Sequence, residues 1–219
     1  LGDRFHANSR VCRLHRVPGA GVWQLDGQGA AEQRRTPYDD IVWSGPTYQL
    51  NDLVVDGQPV GDSEAGHLLD DVDYPPVTVV AMGIDTDAID HPLDGFGVLV
   101  PEVEPYDILG CLFISTLFPG RAPDGRALLS TFVGGARQPE LARASDDTIV
   151  SAVRDDLEDL LGVHGTPEFT DITRWPQAIP QYDVGYGRVF AAADRLEDTY
   201  PGLHVAGNFR DGIAVPALI

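Results

Sequence analysis

Three stretches of this 219-residue chain carry residues whose types and spacing could do chemistry. In Gly95-Phe96-Gly97-Val98-Leu99-Val100-Pro101, two glycines bracket one aromatic, which lets the backbone come close to something flat; the alternative is a tight strand entry with a buried Phe96. In Arg174-Trp175-Pro176-Gln177-Ala178-Ile179-Pro180-Gln181-Tyr182, two prolines stiffen a loop bearing Trp175 and Tyr182. Stiff aromatic loops suit planar ligands, although a packed crossover between domains would use the same residues. In the third stretch, Leu203-His204-Val205-Ala206-Gly207-Asn208 reads as a buried strand and Gly212-Ile213-Ala214-Val215 as a glycine-led helix start. Free N–H groups at such a start favour negative charge developing on a ligand. Residue chemistry alone thus describes an α/β chain with a pocket for a flat ligand, and goes no further.

Other constellations fail on spacing. Gly27-x-Gly29, Gly95-x-Gly97 and Gly185-x-Gly187 each lack the third glycine of a dinucleotide fingerprint, and none lies between a clear strand and a helix. Asp85-x-Asp87-x-x-Asp90 misses the glycine and the terminal Glu of a calcium loop and reads as a solvated turn. The six histidines form no HxxxH pair, Cys12 and Cys111 fit no zinc or CxxC spacing, and there is no GxSxG elbow. No metal site is expected, and the cysteines read as two small buried side chains in a reducing compartment. Acids outnumber bases 34 to 15, every base is Arg, and the net charge is −19. Such a surface repels nucleic acid and anionic lipid, so nucleic-acid binding is set aside; salt adaptation and a GC-rich genome account for the composition equally. No apolar run approaches the ~18 residues of a membrane span. No signal peptide is visible and the chain has no initiator Met, so it is expected to be cut from something longer.

The elements that must position these residues are mostly strands. Val11–Val17 and Val22–Leu25 flank a Pro/Gly turn and predict a hairpin. Tyr38 to Pro46 predicts a buried parallel strand with its exit turn. A weak helical patch surrounds His67-Leu68-Leu69. Val77–Met82, Ile108–Ser115 and Ala127–Phe132 are spaced as an antiparallel meander. The clearest helix is Asp146–Leu161, with Ser145 as its cap, Gly162 as its stop and Ile149, Val153, Leu157, Leu160 and Leu161 as one apolar stripe. Glu168–Trp175 follows as a strand and Gly187–Asp198 as a helix, and Ile213–Ile219 could open another.

In this order, the three stretches resemble the protoporphyrinogen oxidase family of flavoproteins, within the flavin amine oxidase superfamily. The likeness runs through His91-Pro92-Leu93-Asp94 to Pro101, Ile108-Leu109-Gly110, Phe118-Pro119-Gly120-Arg121-Ala122-Pro123 and Thr131-Phe132-Val133-Gly134-Gly135. It continues through Arg174-Trp175 to Gln181-Tyr182 and closes with Pro201-Gly202-Leu203 to Val215-Pro216. The opening Asn8-Ser9-Arg10-Val11 is similar to the family segment whose Val backbone meets the flavin adenine. The resemblance implies a mixed α/β (α+β) fold representing a C-terminal portion. Residues 1–50 and 187–219 would be later pieces of a Rossmann-like FAD domain. Residues 51–186 would be part of a substrate domain with a mixed or antiparallel sheet. It aligns Val11, Trp175, Ile213, Ala214 and Val215 with FAD contacts, and Phe96, Gly97, Leu99 and Phe132 with the porphyrinogen pocket. It assigns no catalytic residue.

The function implied by the resemblance is oxygen-dependent oxidation of protoporphyrinogen IX to protoporphyrin IX in heme biosynthesis. Coproporphyrinogen III oxidation, another flavin oxidase or desaturase of the superfamily, and a non-enzymatic binding domain stand as alternatives. In the family, hydride leaves a meso carbon for flavin N5, tautomerisation opens the next site, and oxygen reoxidises the flavin to give peroxide; the cofactor carries the chemistry. The implied partners are a porphyrinogen and molecular oxygen, with homodimerisation open. The implied location is cytoplasmic, with peripheral membrane contact through an N-terminal half that this chain lacks. That half would also carry the GxGxxG loop and an Arg for a substrate propionate, so the chain alone is expected to bind FAD weakly or not at all and to be inactive. Ala217-Leu218 stand where the family commonly has Asp-Cys.

Overall fold

The computed structural model describes residues 5–29 and 36–213. The chain forms two compact units, residues 1–73 with 179–219, and residues 74–178. The units divide at 73/74 and 178/179 rather than at the 50/51 and 186/187 read from the sequence. The polar stretch after residue 50 stays with the first unit because its helix packs on the helix that follows residue 186, where Arg195 also pairs with Glu64 at 2.8 Å.

The first unit opens with β1 (Ser9–Arg16) and β2 (Trp23–Gly29), the antiparallel hairpin expected around Pro18–Gly21. Then come β3 (Ile41–Trp43), α1 (Thr47–Leu50), β4 (Val54–Val55), β5 (Gln58–Pro59) and α2 (Glu64–Asp70). One sheet runs β2-β1-β4-β5, with β1 and β4 parallel. Ser63 caps α2 by accepting from the Gly66 amide at 2.9 Å.

The second unit contributes β6 (Val77–Asp85), β7 (Gly97–Leu99), β8 (Ile108–Phe113), α3 (Ile114–Leu117), β9 (Arg126–Gly134), α4 (Pro139–Ala142), α5 (Asp146–Leu161) and β10 (Phe169–Trp175). Its antiparallel sheet has the order β10-β6-β9-β8-β7. The strands are antiparallel, as expected, but they are not a sequential meander: β9 lies between β6 and β8. Inserting β9 there gives the nine-residue strand a full-length partner in the nine-residue β6. Helix α5 covers one face of this sheet with Ile149, Val153, Leu157 and Leu161, its ends set by the Ser145 cap and by Gly162 in the left-handed conformation.

The chain then returns to the first unit with α6 (Gly187–Thr199) and β11 (Leu203–Val205), which pairs with β3 in parallel. Parallel pairing was expected for the Tyr38–Pro46 segment, but its burial is incomplete: Val42 is 65% exposed. Cys111 is buried as expected, whereas Cys12 is only half-buried. No helix among the described residues is long and apolar enough to cross a membrane.

Candidate functional site

The five-stranded sheet has two faces made by alternation along the same strands. Val80, Met82, Ile84, Ile108, Cys111, Phe113, Ala127, Leu129 and Val133 point toward α5 and form one buried cluster. The residues between them fall on the other face, which no helix of this unit covers. Register places Leu99 beside Gly110, Gly110 beside Phe132, Phe132 beside Val79 and Val79 beside Thr173, so these residues form one row across all five strands. A neighbouring row joins Gly97, Leu112 and Ser130. At about 4.8 Å between strands, Leu99 and Phe132 stand about 10 Å apart over Gly110. The floor of this face is largely apolar, with Val77, Val79, Ala81, Leu112 and Phe132 half-buried and Leu99 88% exposed, while Ser130, Thr173 and Asp171 are its polar members.

Three of the four residues aligned with a substrate pocket, Gly97, Leu99 and Phe132, therefore come together on one surface. Phe96 borders it at the entry to β7 and is 78% exposed, which excludes the buried-Phe alternative. Trp175 ends β10 at a corner of the same face, opposite Val77; it is 56% exposed and also borders a small hollow with Thr78, Ala142 and Arg143. Leu112 and Val79 were missed from the sequence. The signal that could have found them is the period-two alternation of β6 and β8, read together with the partner order.

Two glycines let the edge hairpin close. A Cβ on Gly97, whose φ is 149°, would lie 2.1 Å from the Cys111 carbonyl oxygen, and one on Gly110 would lie 2.6 Å from that of Val98. The far end of the hairpin is fixed by charge-assisted bonds. Arg137 donates to the Val100 oxygen at 3.2 Å and to the Ile108 oxygen at 2.6 Å. On α5, the Asp156 carboxylate accepts from the Asp107 and Ile108 amides at 2.8 and 2.9 Å. Burial raises the Asp156 carboxyl above its ordinary range, a shift those two amides oppose.

The first unit holds a separate hollow of about 750 Å³, walled by Val11, Cys12, Trp43, Gly45 and Tyr48. Its size is that of small-molecule and cofactor sites. Ser9, Arg10, Val11 and Cys12 all border it, and β1 bulges at the end of this run, between Val11 and Arg13. The hollow adjoins the carboxyl end of β3, the end of parallel strands where α/β proteins bind ligands. Gly45 lets the Trp43 indole lie flat: a Cβ there would be 3.0 Å from the ring, whose N–H donates to the Gly45 oxygen at 3.1 Å.

Beyond β11 the glycine loop is held by side chains. Arg210 donates to Glu197 at 2.8 Å, to the Val205 oxygen at 2.7 Å and to Asp194 at 2.7 Å. Burial alone would raise the Glu197 carboxyl, but the Val205 amide and Arg210 outweigh it and hold it below its ordinary range. Tyr182 donates to the Asn208 oxygen at 2.5 Å and accepts from the Gly212 amide at 3.2 Å. Tyr182 therefore belongs to the first unit and braces the loop that leads to Ile213, which is exposed. Ala214, Val215 and the helix expected to open there lie outside the described residues. Around the acidic turn, Asp85 pairs with Arg126 at 2.9 Å and Asp90 with His164 at 2.8 Å.

An α/β unit assembled from both ends of the chain and an antiparallel sheet with a helix on one face together define a two-unit class of mixed α/β fold. The chain belongs to the flavin-containing amine oxidoreductase family, whose model matches residues 1–214. It is similar to protoporphyrinogen oxidase 2, chloroplastic/mitochondrial, of Arabidopsis thaliana, with 36% identity over 97% of this chain and 43% of the relative. To the mitochondrial protoporphyrinogen oxidase of Nicotiana tabacum it is 37% identical, again over 97% of this chain and 44% of the relative. A solved structure from Exiguobacterium sp. 255-15, assigned as a protoporphyrinogen oxidase, superposes with a TM-score of 0.73 at 25% identity, over 96% of this chain and 44% of that one. The chain thus spans less than half the length of these relatives.

Proposed function

We propose that the chain forms part of an FAD-dependent oxidase that converts protoporphyrinogen IX to protoporphyrin IX in heme biosynthesis. The observation that carries this reading is the uncovered apolar face bearing Leu99, Leu112 and Phe132, whose breadth over several strands suits a large macrocycle. The relatives named as protoporphyrinogen oxidases support it. The hollow beside Val11 fits a flat heterocycle in size and in its Trp43 wall, so Val11 would hold one part of the cofactor, with Trp175, Ile213, Ala214 and Val215 as further contacts. Bound FAD supplies the hydride acceptor. This chain's own residues bind and orient: Val79, Leu112 and Phe132 exclude water beneath the ring, while Leu99 and Phe96 bound it at the β7 edge. Strand β9 carries Ser130 but no acid–base pair between Leu128 and Gly134, which suits chemistry borne by a cofactor. The same reading carries molecular oxygen as electron acceptor and a cytoplasmic location with at most peripheral membrane contact.

Coproporphyrinogen III is the second reading, because a coproporphyrinogen III oxidase of Bacillus subtilis (strain 168) is 31% identical over 65% of this chain. The test uses the polypeptide as encoded, with any sequence upstream of Leu1 retained. Each porphyrinogen is supplied in turn, and porphyrin fluorescence, oxygen uptake and peroxide are followed. Porphyrin and peroxide formed together are expected, and the ratio of kcat/KM values decides the substrate. A flavin-loaded protein that oxidises neither would overturn the proposal. The 219-residue chain alone is expected to show little flavin absorbance.

A further inference from the structure

At the end of the open face remote from Trp175, the sheet runs into a recess of about 440 Å³. Phe169, Gly83 and Leu128 are register partners that form its floor, so it continues the surface that carries Leu112 and Phe132. Leu128 is four residues from Phe132 along β9, about 14 Å at the rise of a strand.

The charges around this recess are unequal in what they have left to offer. Arg126 is occupied by Asp85 at 2.9 Å and by Glu168 at 2.8 Å. Arg121, which also lines the recess, makes no side-chain hydrogen bond or ion pair with any described residue. Its loop is anchored, because the Thr86 amide and hydroxyl both donate to the Gly125 oxygen, at 3.1 and 3.2 Å, and the Arg126 amide donates to the Pro123 oxygen at 3.1 Å. A chain of net charge −19 therefore presents an unpaired guanidinium from a fixed loop beside an apolar floor.

We propose that Arg121 receives a carboxylate of the substrate and thereby sets which edge of the ring lies toward Trp175. This rests on the porphyrinogen-oxidase reading, whose substrate combines an apolar macrocycle with propionate arms. The guanidinium fork matches a carboxylate in geometry as well as charge. Leu128 and Phe169 remove water from one side of the pair, which strengthens it relative to a fully exposed one. The recess selects acid-bearing tetrapyrroles over purely apolar chains of similar breadth, so Arg121 acts as a positioning residue.

The test compares wild-type polypeptide, as encoded, with Arg121→Gln and Arg121→Lys, using protoporphyrinogen IX and its dimethyl ester. Arg121→Gln is expected to raise KM for the diacid about fivefold to tenfold, with the loss falling on KM rather than kcat, and Arg121→Lys to recover part of it. KM for the ester is expected to be the same in all three proteins. An equal rise for diacid and ester, or no rise for either, overturns the anchor while wild-type turnover leaves the oxidase reading standing. If wild type oxidises neither substrate, both ideas fall.

Discussion

Along β9, Ala127, Leu129, Thr131 and Val133 are buried under α5, while Leu128, Ser130 and Phe132 between them are only half-buried. Strand β6 repeats the contrast, with Thr78, Val80, Met82 and Ile84 buried and Val77, Val79 and Ala81 half-exposed. The two faces share backbone, hydrogen bonds and largely apolar composition. They differ in whether a helix lies on them. On the covered face, apolar residues are accounted for by the contacts they make with Ile149, Val153 and Leu157. On the open face they are not, and a contiguous exposed apolar surface marks a binding region. The difference teaches that core packing uses only alternate residues of these strands and leaves the others for the recognition proposed above.

The contrast can be broken by truncating one side chain from each face. Leu157→Ala, at a fully buried position, is expected to cost about 3 kcal/mol in urea unfolding, and Leu99→Ala less than about 0.5 kcal/mol. Comparable losses would mean that the open face also carries stability. Gly97→Ala probes the edge where the faces meet. Its Cβ would clash with the Cys111 oxygen at a backbone angle unfavourable to L side chains, so a loss of about 2 kcal/mol is expected, read as a lowered Tm.

The smallest effect sharpens the covered side. A carboxyl raised in the folded state holds its proton more tightly there than in the unfolded chain. The Asp156 contribution is therefore full below its ordinary value of 3.8 and lost as pH rises through its higher folded value. Asp156→Asn keeps an acceptor for the Asp107 and Ile108 amides and removes that ionisation. The variant should match wild type at about pH 3, gain on it as pH rises, and level off above the folded value. A urea midpoint difference that stays flat with pH would show that this carboxyl is not shifted by burial.

Some of this architecture is legible in the residues alone. Helix α5 begins and ends where Ser145 and Gly162 place it, because caps act within one turn of the residues they satisfy. Hairpin β1–β2 follows from its Pro/Gly turn for the same local reason. Of the site residues, Phe132 was reached through resemblance alone, whereas Gly97 and Leu99 lie in a stretch that the glycines around Phe96 also marked. Strand β7 is three residues long and owes its existence to pairing with β8, so the residues of Gly95–Pro101 alone left a flat-ligand approach and a tight strand entry both open. Leu112 carried no individual signal, since its role comes from lying across from Gly97.

The amino-acid sequence by itself determined the local elements, the alternation that gives the long strands two distinct faces, and the kinship that the flavoprotein family match expresses. Tertiary structure alone decided that β9 sits between β6 and β8, which sets Phe132 over Gly110 beside Leu99, and that β3 pairs with β11 from the opposite end of the chain. Strand partners are chosen by burial and hydrogen bonding between residues far apart in the chain, a competition that local propensity does not encode.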